Sequence, residues 1–265
     1  MKQMKKARNE KLTFGGHLEV LRQMLFRILG ITGIFASVLF CFKDLTWEIL
    51  LAPSEADFCT YKWIEKTIKV IGFNKFHFER FHVELIATDL SSQFMTHITT
   101  AVYLGLLVAS PLILLELFRF ISPALYENEK KYSIQVAGFI YLLFILGVLM
   151  TYYILFPISF RFLGTYSVSN RIHSTITLDS YIETFTTLTL VMGLVFQLPI
   201  IAFLLAKMKF ISYEIMSKYR RHAFLLIMLL AAIITPPDIM TLLLVTVPLY
   251  LLYEVSIKVV KTIEK

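Results

Sequence analysis

Four stretches of this chain are apolar over nearly the length of a membrane-crossing helix, and that feature decides what the chain can fold into. They are residues 24–42, interrupted by Arg27 near the start, 101–118, with Pro111 inside and Glu116 near the end, 134–156, and 185–206. The last two carry no charge. A helix of ~20 apolar residues crosses the ~30 Å hydrocarbon layer, so each run predicts a transmembrane helix. Two further runs, 223–234 and 239–253, hold 12 and 15 residues. At ~1.5 Å per residue they reach only about 18 and 22 Å. Thr235-Pro236-Pro237-Asp238 joins them as a tight turn. Either they form a re-entrant hairpin or they cross where the bilayer is thinned. The count is six helices, with the fifth and sixth short.

Composition agrees. Of 265 residues 57% are apolar and only 17% charged, against roughly 25% in a soluble domain, and the mean hydropathy is +0.70. Such a chain cannot furnish a charged surface, which excludes a soluble enzyme, and it is too apolar to be disordered. Two cysteines exclude a disulfide scaffold. The fold class is an all-α, polytopic membrane protein. The net charge of +7 does not indicate nucleic acid, because the basic residues fall in short blocks between apolar runs.

Those blocks set orientation. Lys and Arg number 17 in segments 1–24, 119–132, 206–222 and 258–265, and 8 in segments 43–95, 156–178 and 235–238. The excess predicts that both termini are cytoplasmic. Lys2, Lys5, Lys6, Arg8 and Lys11 precede the first run as in a signal peptide. The run is too long for that and no A-x-A site follows, so it reads as a retained span. The predicted organisation is a cytoplasmic segment 1–24, one six-helix domain 25–257 with a periplasmic cap 43–95, and a cytoplasmic tail 258–265. Trp47, Trp63, Phe73, Phe76, Phe78 and Phe81 in the cap read as interface anchors. There is no internal repeat and no G-x-x-x-G spacing.

Phosphate-binding, zinc-protease and nucleophile-elbow motifs are absent, and the six His show no metal-ligand spacing. Cys41 and Cys59 read as two lone thiols. The pattern predicts no enzyme, no metal and no cofactor. What needs a reason is the set of polar residues in or beside the spans. Glu129 either pairs with Lys130 or Arg119 on a wet surface or belongs to a carboxylate site for a cationic ligand, for which arginine suits best. Glu116 and Glu254 read as snorkelling to the interface, and Glu183 as lying at the water boundary. Gln197, just before Pro199, reads as an interhelical hydrogen bond. Pro111, Pro199 and Pro248 read as kinks.

Several motifs in order resemble the TatC family of the twin-arginine protein translocase. They are His17-Leu18-Glu19-Val20-Leu21-Arg22, Ala52-Pro53, Ala87-Thr88-Asp89, Ser110-Pro111, Phe120-Ile121-Ser122-Pro123-Ala124-Leu125-Tyr126 with Glu129, Phe156-Pro157, Phe196-Gln197-Leu198-Pro199, Thr235-Pro236-Pro237-Asp238 and Pro248-Leu249-Tyr250. The resemblance runs over roughly residues 14–257. It implies a glove-shaped, concave bundle in the inner membrane. It also implies a receptor for twin-arginine signal peptides of folded cargo, bound at the cytoplasmic face. Export would be driven by the proton gradient, with TatA/TatB-type single-span subunits and self-association. By the same resemblance Glu129 is an arginine-binding carboxylate, Phe120 and Pro123 shape its loop, and Glu19 and Arg22 belong to the site. Gln197 and Tyr152 fall at positions for partner subunits, while Pro53, Pro111 and Asp238 are structural. Two positions depart from the family pattern. The acid expected immediately before Leu21-Arg22 is replaced by Val20, with Glu19 one residue earlier, and the fourth-span acid is Gln197. Two other functions compete: a secondary transporter of a small solute, which should show repeated halves, and a ligand-free membrane scaffold.

If the last two helices both cross, a reporter fused at Pro237 will read on the opposite side of the membrane from the termini. A reading on the same side would leave the re-entrant hairpin.

Overall fold

The first helix, α1 (Phe14–Cys41), is 28 residues long and starts well before the uninterrupted apolar run. Leu18, Val20 and Leu21 extend the apolar pattern backwards and nothing between them breaks a helix. In the computed structural model, which describes residues 14–70, 81, 83–121, 130–167, 169 and 175–264, α1 ends at Phe42. There the backbone leaves helical geometry and α2 (Lys43–Leu51) begins at once. The Thr46 hydroxyl secures the joint by donating to the Phe42 carbonyl at 2.8 Å. A tight helical turn, Ala52–Ser54, carries Pro53 at its start, where a missing N–H costs nothing. The cap continues with α3 (Cys59–Val70) and a two-residue strand β1 (Leu85–Ile86).

The second span is α4 (Ser92–Ile121), 30 residues that run through Pro111 as one helix. The third is α5 (Lys130–Met150), a wide π turn (Thr151–Leu155) and α6 (Phe156–Thr165). The sequence pattern ended this span at Phe156; the helix instead continues through Pro157 to Thr165. Proline ends a helix when the carbonyl one turn back is left without a donor. Here the Tyr153 carbonyl accepts the Thr60 hydroxyl of α3, so the fault is repaired by a tertiary contact.

Strand β2 (Ile176–Thr177) pairs parallel with β1, Leu85 beside Ile176. The fourth span is α7 (Leu178–Val195), capped by Thr177, then a break at Phe196-Gln197 and α8 (Leu198–Lys207) with Pro199 in its first turn. A short α9 (Tyr213–Lys218) follows, capped by Ser212. Helix α10 (Arg220–Ile234) has 15 residues and α11 (Ile239–Ile263) has 25. The all-helical membrane architecture is therefore as expected. Among the described residues, five helical stretches are long and apolar enough to cross a membrane: α1, α4, α5–α6, α7–α8 and α11. Helix α10, at about 22 Å, is the short one. The expectation for the sixth helix is corrected: only its apolar part is short, and the polar continuation from Glu254 stays helical to Ile263.

The core gathers where α5–α6, α7, α10 and α11 meet. Leu155, Phe156, Phe160, Tyr181, Phe185, Leu188, Met192, Ala231, Val245 and Leu249 are buried there. Phe156 stands edge-on to Tyr181 and to Phe185, each at 5.0 Å, an arrangement that favours aromatic pairs. Trp47 and Phe81, expected at the membrane surface, pack against this core instead, whereas Trp63 is exposed. Helix α1 packs chiefly along α4. Close approach there depends on Gly105, since a Cβ would stand 2.7 Å from the Ala36 backbone nitrogen. Helix α8 lies against α11 through Ala202, Ala206 and Val260.

Gly105→Ala is expected to lower stability by about 1–3 kcal/mol, because the facing atoms are backbone and cannot step aside. Gly30→Ala meets nothing within 4 Å and should be neutral or stabilising by up to ~1 kcal/mol. Thermal unfolding in detergent reads both, and equal effects would refute the close-approach argument.

Candidate functional site

Of the five residues expected at the signal-peptide site, Glu19 and Arg22 lie near the start of α1 and Phe120 at the end of α4, the same end of the bundle. The motif Glu19-Val20-Leu21-Arg22 is helical. The one-residue displacement of its acid therefore rotates the carboxylate by ~100° about the helix axis. Glu19 turns along its own helix: Arg22 Nη2 lies 3.2 Å from its Oε1 and Gln23 Nε2 donates to the same oxygen at 3.1 Å. Both partners are exposed, so the pair contributes only ~0–1 kcal/mol and leaves the carboxylate free to exchange partners. Phe120 lies in the last turn of α4; its side chain, Pro123 and Glu129 are outside the described residues.

A second pair lies one step further along α1. Arg27 Nη1 is 3.4 Å from Glu116 Oε2 on α4. Glu116 was expected to snorkel, but its side chain is only 17% exposed and turned to Arg27 across the helix interface. Sequence reading missed the pairing because the two residues lie 89 positions apart. Each showed only as one charge in an apolar run.

The polar residues expected at partner positions are tied inward. Gln197 is buried at the break between α7 and α8, and its Nε2 donates to the Ile140 carbonyl of α5 at 3.1 Å. Its Oε1 finds no partner among the described residues. Tyr152, in the π turn, donates to the Ile49 carbonyl of α2 at 2.7 Å. The structure does not bring these two together, since Ile140 and Tyr152 are separated by about 18 Å along one helix.

The three residues expected to be structural sit as follows. Pro53 is buried, and its carbonyl accepts the Tyr61 hydroxyl at 3.0 Å. Pro111 is half-buried within α4. Asp238 caps α11, its Oδ1 accepting the Thr241 N–H at 2.6 Å. Of the three expected kinks, only Pro199 coincides with a helix break; Pro111 and Pro248 lie inside continuous helices.

Three groupings were not foreseen. In the cap, the Tyr61 hydroxyl reaches the carbonyls of Pro53 and Pro157, the latter at 2.9 Å, and the Tyr181 hydroxyl donates to Leu50 at 2.7 Å. Burial pushes the Tyr61 phenol well above its usual range, so it stays a donor. Arg161 lies over the Tyr61 and Phe81 rings, 4.8 Å from the Phe81 centroid. At the start of α7, Asp179 accepts the Ser92 hydroxyl at 2.6 Å and the Thr96 hydroxyl, tying α4 to α7. Glu254, expected to snorkel, accepts the Tyr250 hydroxyl at 3.1 Å and pairs with Arg220. Single polar residues inside apolar runs were the only signal, and their partners are distant in sequence.

No three His, Cys, Asp or Glu side chains among the described residues are placed to hold a metal, and Cys41 and Cys59 are free. This is a multi-pass helical membrane protein in which a few polar side chains join helices to one another. The family model described as Sec-independent protein translocase protein (TatC) matches residues 16–248. A TatC protein of Blattabacterium is 35% identical over 257 residues, 96% of each chain. One of Desulforapulum autotrophicum is 31% identical over 248 residues, 94% of this chain and 84% of its own. A crystal structure of a twin arginine translocase receptor, TatC, superimposes with a TM-score of 0.73 at 30% identity, covering 94% of this chain and 100% of that one. The chain belongs to the TatC family. It is a subunit of the Tat system, a protein translocase component acting in protein transport.

Tyr61→Phe strips the shared donor from two buried carbonyls and should cost about 1–3 kcal/mol, while Glu19→Gln should cost under ~1 kcal/mol. Thermal unfolding in detergent ranks them; the reverse order would mean that the cap tie is not what holds α3 to α6.

Proposed function

We propose that this chain is the receptor subunit of the twin-arginine translocase and binds the paired arginines of a signal peptide at the cytoplasmic end of the bundle. The match over residues 16–248 carries the reading. Glu129 is the principal carboxylate, because it falls where the family places one. A guanidinium makes two parallel, charge-assisted bonds to a carboxylate, which an ammonium cannot copy. Phe120 and Pro123 shape the loop that presents it. Glu19 contributes by leaving its weak pairing with Arg22, and Arg22 then helps to orient the peptide's carbonyl groups.

Both termini lie in the cytoplasm and the protein sits in the inner membrane, which the twofold excess of Lys and Arg at that end supports. Small TatA- and TatB-type single-span subunits dock along the spans, and copies of this chain associate. Gln197, at the break between α7 and α8, marks the polar level at which such a subunit docks. The proton gradient supplies the drive for export.

The test is binding of a twin-arginine signal peptide to the purified protein in detergent beside its twin-lysine counterpart. The expected result is preference for arginine, lost in Glu129→Ala and weakened less by Glu19→Gln. Equal binding of the two peptides would overturn the reading.

A further inference from the structure

A recess of about 400 Å³ opens between α10 and α11, and the function proposed above makes no use of it. Arg220, Arg221, Phe224, Leu225 and Tyr250 line it. Its walls are of two kinds. Arg220 and Arg221 form a basic wall at the start of α10. Phe224, edge-on to Tyr250 at 5.5 Å, and the exposed Leu225 form an apolar wall. That apolar wall runs on along α10 as Leu229 and Ile233, both exposed and in helical register with Leu225. A chain lying in a bilayer turns such a strip toward acyl chains.

The charges in the recess do not cancel. Arg220 Nε lies 3.1 Å from Glu254 Oε1, an ion pair whose geometry leaves that N–H without a hydrogen bond. The same carboxylate oxygen accepts the Tyr250 hydroxyl at 3.1 Å. Glu254 therefore answers one guanidinium. Arg221 is exposed and has no ion-pair partner among the described residues. One positive charge is left over, beside an apolar wall.

The depth of the recess follows from helix length. Helix α10 rises about 22 Å, short of the ~30 Å hydrocarbon layer. The bilayer must thin beside it, or long side chains at its ends must reach up to the headgroups. Either way Arg220 and Arg221 meet the phosphate layer where the apolar wall meets the acyl chains. A free anion would satisfy the guanidinium and leave the apolar wall unused. A zwitterionic headgroup would leave the surplus charge unanswered.

We propose that this recess binds an anionic phospholipid, with the phosphate on the guanidinium groups of Arg221 and Arg220 that line it, and one acyl chain along Phe224, Leu225 and Leu229. Guanidinium groups suit a phosphodiester because two N–H groups can meet two of its oxygens. The bound lipid fixes the level of the short helix in a membrane that it does not match in length.

The full chain, purified in detergent and delipidated, is examined by native mass spectrometry with phosphatidylglycerol and phosphatidylcholine. Phosphatidylglycerol should be retained in preference by about fivefold, the effect of one basic residue at an anionic surface. Arg221→Gln should bring the two lipids to parity, and Arg221→Lys should restore part of the preference. Arg221 is exposed, so neither variant should alter unfolding without lipid. Lys261→Gln, which removes another exposed charge from the same end of α11, should change nothing. Three results would overturn the proposal: no preference in the natural chain, an equal loss in Lys261→Gln, or displacement of the lipid by excess inorganic phosphate.

Discussion

Hydrocarbon offers no hydrogen-bond partner, and the polar side chains of these spans are arranged around that fact. Several of the buried hydroxyls turn back onto their own helix. Thr151 donates to Gly147, Thr186 to Ile182, Thr189 to Phe185, Thr246 to Leu242 and Ser256 to Leu252, each to the carbonyl four residues earlier. These bonds cost the fold no tertiary specificity. The few polar groups that reach another helix therefore do most to set the arrangement. Gln197 joins α7–α8 to α5, Asp179 joins α7 to α4, Arg27 meets Glu116 between α1 and α4, and Arg220 meets Glu254 between α10 and α11.

The cap end of the molecule shows how one defect organises a region. Pro157 removes a backbone donor, the π turn widens the helix before it, and Thr60 takes the Tyr153 carbonyl. Tyr61, next in the chain, accepts the task at Pro157 and Pro53 together. Two consecutive residues of α3 thus hold the cap onto the third span. The opposite end is built differently. There the ion pairs of α1, Glu19 with Arg22 and Arg27 with Glu116, involve well-exposed arginines. Such pairs are weak and exchangeable. Rigidity and exchange are separated along the axis of the bundle.

Legibility in the sequence followed the range of the physics. The apolar runs disclosed the fold class and four of the spans, because the length of a crossing helix is fixed by the bilayer alone. The turn at Thr235-Pro236-Pro237-Asp238 was equally plain, and Asp238 caps the next helix as its residue type suits. The extension of α1 back to Phe14 and of the third span forward to Thr165 was not. In the first case amphipathic residues continue a helix past the apolar run. In the second a proline is rescued by a side chain nearly a hundred residues away. Trp47 and Phe81 were misplaced because an aromatic residue outside the spans carries no mark of whether its segment folds onto the core. The candidate site was legible only through family motifs, since Glu129 standing alone reads as well as a solvated surface charge.

The sequence by itself determined that the chain lies in a bilayer, where four of its spans run and where Lys and Arg concentrate. It also determined that Glu19 stands one residue away from the usual acid and that Gln197 carries no charge. These are properties of composition, length and order, and no folding is needed to state them. The tertiary structure alone decided which polar groups meet. It turned Glu116 to Arg27, Gln197 to the Ile140 carbonyl, Tyr152 to the Ile49 carbonyl and Glu254 to Arg220. The reason is that inside a membrane a polar side chain must take whatever partner the packing of apolar helices brings within reach. That packing is set by shape, by a glycine at position 105 and alanines at 202 and 206, and not by the polar residues themselves.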